Sequence, residues 1–134
     1  MVLTLASMLS ALSQELCITR HISSADGLSN DFVISLAVDG SGCVWVATEA
    51  GVNRIAGKTV MSSLEPANRL SAAQLTGRIT SMLWHEASGN MFIGSERALS
   101  VYSDKEGTLS HLDSSHGLVP SSVNDIVGAA DGGL

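Results

Sequence analysis

The sequence predicts an all-β fold, a β-propeller fragment with about two complete four-stranded blades and the first strand of a third. Two observations support this fold class. A sequence repeat recurs about every 45 residues, and its copies contain segments rich in β-branched and aromatic residues that are separated by glycine-containing turns. Four short antiparallel strands with their turns occupy about 45 residues, which is the length of one propeller blade.

The repeat is visible at three places in the chain. The segment His21–Leu28 recurs 90 positions later as His111–Leu118. The segment Ser35–Thr48 aligns with Ser81–Ser95 at an offset of 46 to 47 positions, and a third copy begins at Ser122. The chain ends two residues before the aromatic residue of this third copy is due, which predicts a truncated array of blades.

Each complete copy is expected to supply four strands, because four apolar segments are separated by turn residues such as Asp39–Gly42. The nearly continuous apolar character of the first two strands of each copy predicts burial on both faces. The expected strands are Phe32–Val38, Cys43–Thr48, Val52–Ile55 and Lys58–Met61 in the first copy, and Ile79–Trp84, Met91–Ser95, Leu99–Tyr102 and Thr108–Leu112 in the second.

These strands give the domain organisation. Residues 14–134 are expected to form the N-terminal part of a propeller, with the first blade at about 31–64, the second at about 78–112 and the start of the third at about 121–134. The segment Glu65–Thr76 is expected to be a surface loop between blades. Ile18–Ile22 is expected to be the outermost strand of the last blade of a closed ring, because Leu109–Leu112 precedes the third copy in the same way.

The first thirteen residues have the length and texture of a secretory signal peptide. They carry no charge and are mostly apolar, and Ala11 and Ser13 place small residues before a cleavage site at Gln14. No Lys or Arg precedes the apolar run, so a buried helix is the alternative interpretation. The run is too short to span a bilayer as a helix.

Composition excludes two classes of function. The formal net charge is −6, and the seven Lys and Arg residues are scattered singly, whereas a nucleic-acid surface needs clustered cations. The two cysteines, Cys17 and Cys43, have neither a CxxC spacing nor a matching pair of histidines, so the sequence does not predict a zinc site. Cys43 is expected to be a small buried apolar residue.

The first copy resembles the two-component regulator propeller repeat. The resemblance rests on Asp26–Asn30, Asp39–Gly42, Val44–Thr48 and Gly51–Val52, which are similar to the Gly-Leu-Ser loop, the Asp-x-x-Gly turn, the Trp-containing strand and the following Gly-Leu of that repeat. The second copy departs from the pattern, because it lacks the Gly-Leu-Ser loop and has Phe92 in place of Trp.

The resemblance implies a function in signalling. Proteins similar to this repeat family are periplasmic sensor regions of hybrid histidine kinases, so the resemblance implies an exported segment that precedes a membrane anchor and a kinase. A glycan or another extracellular small molecule is the implied ligand, and homodimerisation of the longer protein is a further expectation. The alternatives are a propeller enzyme such as a lyase and a propeller that binds protein partners.

No catalytic, cofactor-binding or metal-binding residue is predicted, and the ligand-binding residues stay unknown. His21 and His111 are expected to share a structural role because they are equivalent in the repeat. The neighbours His85 and Glu86 are expected to be solvated at a turn. The abundant Ser, His and Asp of Asp113–His116 do not form a nucleophile elbow, since no Gly-x-Ser-x-Gly is present.

Turn residues that resemble ion or nucleotide sites are interpreted as hairpin turns. Asp39–Gly42 and Asp131–Gly133 each have an isolated carboxylate beside glycine, which is insufficient for calcium. Two blades and part of a third cannot close a ring. We therefore expect one flank with exposed apolar surface and a chain that is unstable or aggregates when expressed alone.

Overall fold

A computed structural model describes residues 20–57, 59–60, 69–71, 74–119 and 122–133. The described residues form two antiparallel sheets and two single-turn 3-10 helices, Ser24–Asp26 and Ser114–His116. The expected leader, residues 1–13, lies outside the described residues.

The first sheet contains five strands, and its first four lie in chain order. The outer edge of the third strand is shared, because the fourth strand pairs with Ile55 and Ala56 whereas the fifth pairs with Gly51, Val52 and Asn53. The strands are β1 (Val33–Val38), β2 (Val44–Thr48), β3 (Gly51–Ala56), β4 (Thr59–Val60) and β5 (Arg69–Ser71).

The second sheet has four strands in chain order, and its geometry repeats that of the first. A break in the β1–β2 register falls between Val33 and Ser35, and the break in the equivalent pair of the second sheet falls between Ile79 and Ser81. The two irregularities are 46 positions apart, as the sequence repeat requires. The strands are β6 (Ile79–His85), β7 (Asn90–Ser95), β8 (Leu99–Ser103) and β9 (Thr108–Leu112).

The predicted all-β propeller class is confirmed, with two blades as two consecutive sheets. One detail of the prediction is wrong. Part of the expected surface loop at 65–76 is strand β5, which completes the outer edge of the first sheet. Residues 20–22 pair with none of the described strands, and residues 18–19 lie outside the described part. The role of Ile18–Ile22 as a strand of the last blade in a closed ring stays a prediction, because that blade is not among the described sheets.

The core lies between the two sheets. Trp45, Ala47 and Val52 of the first sheet pack with Met91 and Ile93 of the second, and β1 runs beside β6. The Trp45 side chain is 1% exposed, and its ring centroid lies 5.3 Å from that of Tyr102. Burial of these large apolar side chains fixes the order and the spacing of the two blades.

The opposite face of the first sheet is open. The predicted burial of the first strand on both faces is wrong, because Val33, Leu36 and Val38 are exposed, as is the neighbouring Phe32. The residues of β1 that face the second sheet, Ile34 and Ala37, are covered. This open flank agrees with the expectation of exposed apolar surface at one end of the array.

Residues 122–133 lie against the outer face of the second sheet, where the third blade is expected to begin. The Val123 amide donates to the Ser95 carbonyl at 3.0 Å, and the Thr80 hydroxyl donates to the Val123 carbonyl. No strand is assigned within residues 122–133. The first strand of a third blade at about 121–134 therefore stays a prediction.

Candidate functional site

The Gly-Leu-Ser loop of the first repeat has a defined local structure. The 3-10 helix Ser24–Asp26 is capped at both ends: the Asp26 carboxylate accepts from the Ser23 amide at 2.9 Å, and Gly27 has a φ of 110°. Most residue types are strained at a positive φ, whereas glycine adopts it readily because it has no Cβ. Gly27 can therefore end the turn. The turn directs Leu28 into the sheet, where it packs with Val46 and Ile55.

Asn53 attaches this loop to the sheet, a role that was not predicted from the sequence. The Asn53 side-chain oxygen accepts from the Ser29 amide at 2.8 Å and from the Ser29 hydroxyl at 2.5 Å. Asn53 is 1% exposed, so these bonds satisfy a polar group that burial would otherwise penalise. A buried Asn on an otherwise apolar strand face is the signal that would have identified this role.

The second copy keeps the leucine of the loop even though it lacks Gly-Leu-Ser. Leu75 stands 47 positions after Leu28 and is fully buried in the core between the sheets. Thr76, which follows it, has a φ of 58°, a conformation more common for glycine or asparagine. The repeat is therefore preserved in packing where its sequence pattern is lost.

A partly buried ionic cluster joins the two blades at the other end of the sheets. The Arg54 guanidinium contacts Asp39 Oδ2 of its own blade at 2.5 Å and the exposed Asp104 of the second blade at 2.9 Å. The Trp45 indole N–H donates to the same Asp39 Oδ2 at 2.8 Å, and the Ser41 hydroxyl donates to Asp39 Oδ1 at 2.6 Å. The Arg54 guanidinium carbon also lies 5.3 Å from the centroid of the Trp45 ring.

The electrostatics of this cluster are those of a structural site. Burial by itself raises the pKa of Asp39, but hydrogen bonds from Ser41, Trp45 and the Cys43 amide, together with the charge of Arg54, outweigh it and lower the pKa to about 2. Both Asp39 oxygens are occupied by protein donors. The Asp39–Gly42 turn therefore has no free carboxylate for calcium, in agreement with its interpretation as a hairpin turn.

The histidines equivalent in the repeat have different surroundings. The Nδ1 atom of His111 lies 2.9 Å from the Ser100 hydroxyl, in the second sheet. His21 is exposed and lies near Asp26, whose pKa is lowered mainly by the Ser23 amide. The structure does not make the two histidines a ligand pair, because His111 lies in strand β9 of the second sheet whereas His21 lies before the first sheet and outside any strand.

His85 and Glu86 do not form an acid–base pair. The two ring nitrogens of His85 contact the Ser88 hydroxyl at 2.8 Å and the Gly132 carbonyl at 2.7 Å. The Glu86 carboxylate instead accepts from the Trp84 indole N–H at 2.8 Å. Each side chain holds a turn or a neighbouring segment in place.

Asp113, Ser115 and His116 are in mutual contact, but not as a catalytic triad. The Asp113 carboxylate and the Ser115 hydroxyl both lie 3.1 Å from the same His116 nitrogen, Nδ1. A triad needs the carboxylate and the nucleophile on opposite nitrogens of the ring. These contacts cap the helix Ser114–His116, and hydrogen bonds from Ser115 and His116 lower the pKa of Asp113 to about 2.

The remaining candidates serve local structure. Asp131 accepts from the Gly133 amide at 3.0 Å, as in a hairpin turn. Cys43 is a half-buried free thiol, less covered than expected, and Cys17 lies outside the described residues. Within the part of the chain that the structure describes, no cluster of three or more His, Cys, Asp or Glu side chains could hold a metal ion.

The pocket with mixed polar and apolar walls lies at the end of the second sheet opposite the ionic cluster. It has a volume of about 230 Å³ between the β7–β8 turn and the loop that leads from β9 to residue 123. Glu96 and Arg97 of the turn provide opposite charges, and both are exposed. The lining residues are Glu96, Arg97, Ala98, Ser114, Leu118, Val119 and Val123.

Comparison with known families identifies the first repeat. Residues 27–50 match the family model described as two component regulator propeller. The first copy is similar to the two-component regulator propeller repeat. The matched segment runs from the Gly27 turn through β1 and β2 to the β2–β3 turn. The resemblance seen in the sequence is thereby confirmed over residues 27–50.

Among solved structures, the chain is similar to the extracellular domain of a hybrid two component system from B. thetaiotaomicron. The sequence identity is 15%, the TM-score is 0.42, and the match covers 85% of this chain. The chain spans only 21% of that protein domain. A search of curated proteins gave no match.

The described residues include no helix long and apolar enough to cross a bilayer.

Proposed function

We propose that this chain is a segment of an extracytoplasmic propeller that senses a ligand for a two-component signalling protein. The regulator propeller repeat at 27–50 is the observation that carries the proposal. Its residues explain architecture: Gly27 ends a turn, Leu28 packs in the sheet, and Trp45 fills the space between blades. Sensing must therefore depend on other residues of the same blades.

The pocket beside the β7–β8 turn supports a place for the ligand. It lies between a strand turn and the loop from β9 to residue 123, and connecting loops of a rigid scaffold are common positions for binding residues. The pocket wall includes Val123, which hydrogen-bonds to Ser95 of the second blade. A ligand bound there would contact two successive blades, so its affinity would depend on their relative position.

The chemistry of the walls favours an acidic oligosaccharide. The Arg97 guanidinium suits a carboxylate, because a charge-assisted hydrogen bond is stronger than a neutral one. Glu96 can accept hydrogen bonds from sugar hydroxyls, and Leu118 and Val119 offer apolar surface to the face of a sugar ring. We propose a non-catalytic role, since the contacts of Asp113, Ser115 and His116 are those of a helix cap.

Titration calorimetry with oligogalacturonate, and with a neutral galactose oligosaccharide of equal length, tests this proposal. We expect the acidic sugar to bind and Arg97→Ala to weaken it by about 10-fold or more, as for the loss of a charge-assisted hydrogen bond. Lys105→Ala is the matched control, because Lys105 is an exposed cation in the β8–β9 turn at the opposite end of the sheet. Equal binding by wild type and Arg97→Ala, or no binding of either sugar, would overturn the proposal.

A further inference from the structure

Ser95 lies beneath the β7–β8 turn and holds it in place, although it does not line the pocket. Its side chain is fully buried. The Ser95 hydroxyl donates to the Ala98 carbonyl at 2.9 Å, and it accepts from the Ala98 amide at 3.1 Å and from the Arg97 amide at 3.4 Å. A hydroxyl has one hydrogen and two lone pairs, so these three bonds match its capacity and fix its orientation.

Ser95 also contacts the opposite wall of the pocket. The Val123 amide donates to the Ser95 main-chain carbonyl at 3.0 Å. Ser95 therefore holds lining residues on both sides, Arg97 and Ala98 through its hydroxyl and Val123 through its main chain. Of these lining residues, Arg97 is the one that carries a charge, so its position matters most for an anionic ligand.

The Arg97 side chain depends on the backbone of this turn for its direction. It is exposed, and it takes part in none of the ion pairs among the described residues. Its aliphatic stem lies beside Gly77, since a Cβ placed on Gly77 would be 3.9 Å from Arg97 Cγ. Because no protein carboxylate orients the guanidinium, a small shift of the turn would move it away from a bound carboxylate.

The equivalent turn of the first copy has a hydroxyl at the same position but lacks the charge. The Thr48 hydroxyl donates to the Gly51 carbonyl at 3.0 Å and accepts from the Ala50 amide at 3.3 Å. Thr48 stands 47 positions before Ser95, and Ala50 stands 47 positions before Arg97. The hydroxyl is therefore common to both turns, whereas the side chain that it positions differs between the two blades.

We infer that Ser95 is a positioning residue for the anionic ligand, because its hydroxyl fixes the turn from which Arg97 reaches the ligand carboxylate. This inference rests on the proposed function and adds to it a residue that does not touch the ligand. A group that is already held in place loses less conformational freedom on binding, so a fixed turn raises the affinity. The effect of Ser95 on affinity should therefore depend on the presence of Arg97.

A double-mutant cycle with oligogalacturonate as the probe tests this dependence. Ser95→Ala should weaken binding about 5-fold, as for the loss of one hydrogen bond. In a chain that already carries Arg97→Ala, Ser95→Ala should cause no further loss of affinity, because the side chain that it positions is absent. An equal loss in both backgrounds would overturn the inference, since Ser95 would then act independently of Arg97.

Two single variants separate positioning from general stability. Thr48→Ala removes the equivalent hydroxyl from the first copy, so it should lower the melting temperature much as Ser95→Ala does but leave the affinity for oligogalacturonate unchanged. Ser95→Thr keeps the hydroxyl, as in the first copy, and should restore most of the affinity. A loss of affinity with Thr48→Ala equal to that with Ser95→Ala, or no recovery with Ser95→Thr, would contradict the role of Ser95.

Hydrogen exchange distinguishes failure of this inference from failure of the proposed function. Ser95→Ala should speed exchange of the Ala98 amide but not of the Val123 amide, which donates to a main-chain carbonyl that the variant keeps; an unchanged Ala98 rate would overturn the inference. If the wild-type chain does not bind oligogalacturonate, the proposed function fails and the inference fails with it. If the wild type binds and Ser95→Ala binds equally well despite faster Ala98 exchange, only the inference is overturned.

Discussion

Replacing Asp39 by Asn should strongly destabilise the connection between the two blades. The variant removes the charge that contacts Arg54 at 2.5 Å and places an N–H donor near the Trp45 indole N–H. Two facing donors repel each other, and Arg54 keeps only its ion pair with Asp104 and its hydrogen bond to the Ser41 hydroxyl. Breaking a buried ion pair by removing one partner is costly because a desolvated charge is left behind.

The magnitude follows from the pKa of Asp39. A decrease from 3.8 in the unfolded chain to about 2 in the folded one corresponds to about 2 kcal/mol of stability above pH 4. The misplaced amide donor adds about 1 kcal/mol. We therefore expect Asp39→Asn to lower the free energy of unfolding by about 3 kcal/mol at pH 7.

The stability difference between wild type and Asp39→Asn should depend on pH, in a direction set by the pKa of Asp39. Because folding lowers the pKa of Asp39, its contribution is fully present above the unfolded value of 3.8 and is lost as the pH falls through about 2. The stability difference between wild type and Asp39→Asn should thus shrink as the pH falls from 4 to 2.

Urea unfolding followed by tryptophan fluorescence measures this difference, because Trp45 lies in the cluster itself. Asp131→Asn is the control. Asp131 is an exposed turn carboxylate that accepts a hydrogen bond from the Gly133 amide, so its replacement should change stability by less than about 0.5 kcal/mol. A difference for Asp39→Asn that stays constant from pH 4 to pH 2 would refute the electrostatic account.

Two further substitutions test the loop attachment and the contact with the third repeat. Asn53→Ala removes the acceptor of two hydrogen bonds from Ser29, so it should lower the free energy of unfolding by about 2 kcal/mol. It should also speed hydrogen exchange of the Ser29 amide, and an unchanged exchange rate would contradict the role of Asn53. Gly94→Ala would place a Cβ 2.7 Å from the Ser81 hydroxyl oxygen and 2.9 Å from a methyl group of Val123, so it should lower the melting temperature, with a cost of about 1–3 kcal/mol. Gly128→Ala, whose nearest contact would be an ordinary 3.7 Å, is the control, and equal effects of the two alanines would argue against close packing at Gly94.

The fold was predictable from the sequence because blades depend on local signals. Glycine turns and short β-branched segments at a fixed period identify strands and their order without long-range information. Strand Thr108–Leu112 matches its predicted bounds, and most other strands differ by a residue at one end or both. Strand β5 could not be anticipated, because Arg69–Ser71 has no alternating apolar pattern and depends on the free edge of β3.

The candidate site was far less predictable, for a physical reason. The pocket joins Glu96 and Arg97 of one turn to Leu118 and Val123, which are more than 20 positions away, and no spacing rule relates them. Likewise, Arg54 and Asp104 are 50 positions apart, so their ion pair is fixed by the stacking of blades rather than by either segment. Repeat motifs identify the residues that every blade shares, whereas a binding site depends on residues that differ from one blade to the next.

The outer edge of the first sheet is formed by two short strands instead of one. Strands β4 and β5 each cover part of β3, and Arg54 lies at the gap between the two sets of paired residues. Length changes between β4 and β5 would therefore leave the register of the inner strands and the Arg54 contact with Asp104 unaltered. At this perimeter, a blade can acquire or lose residues during evolution while its neighbours keep their positions.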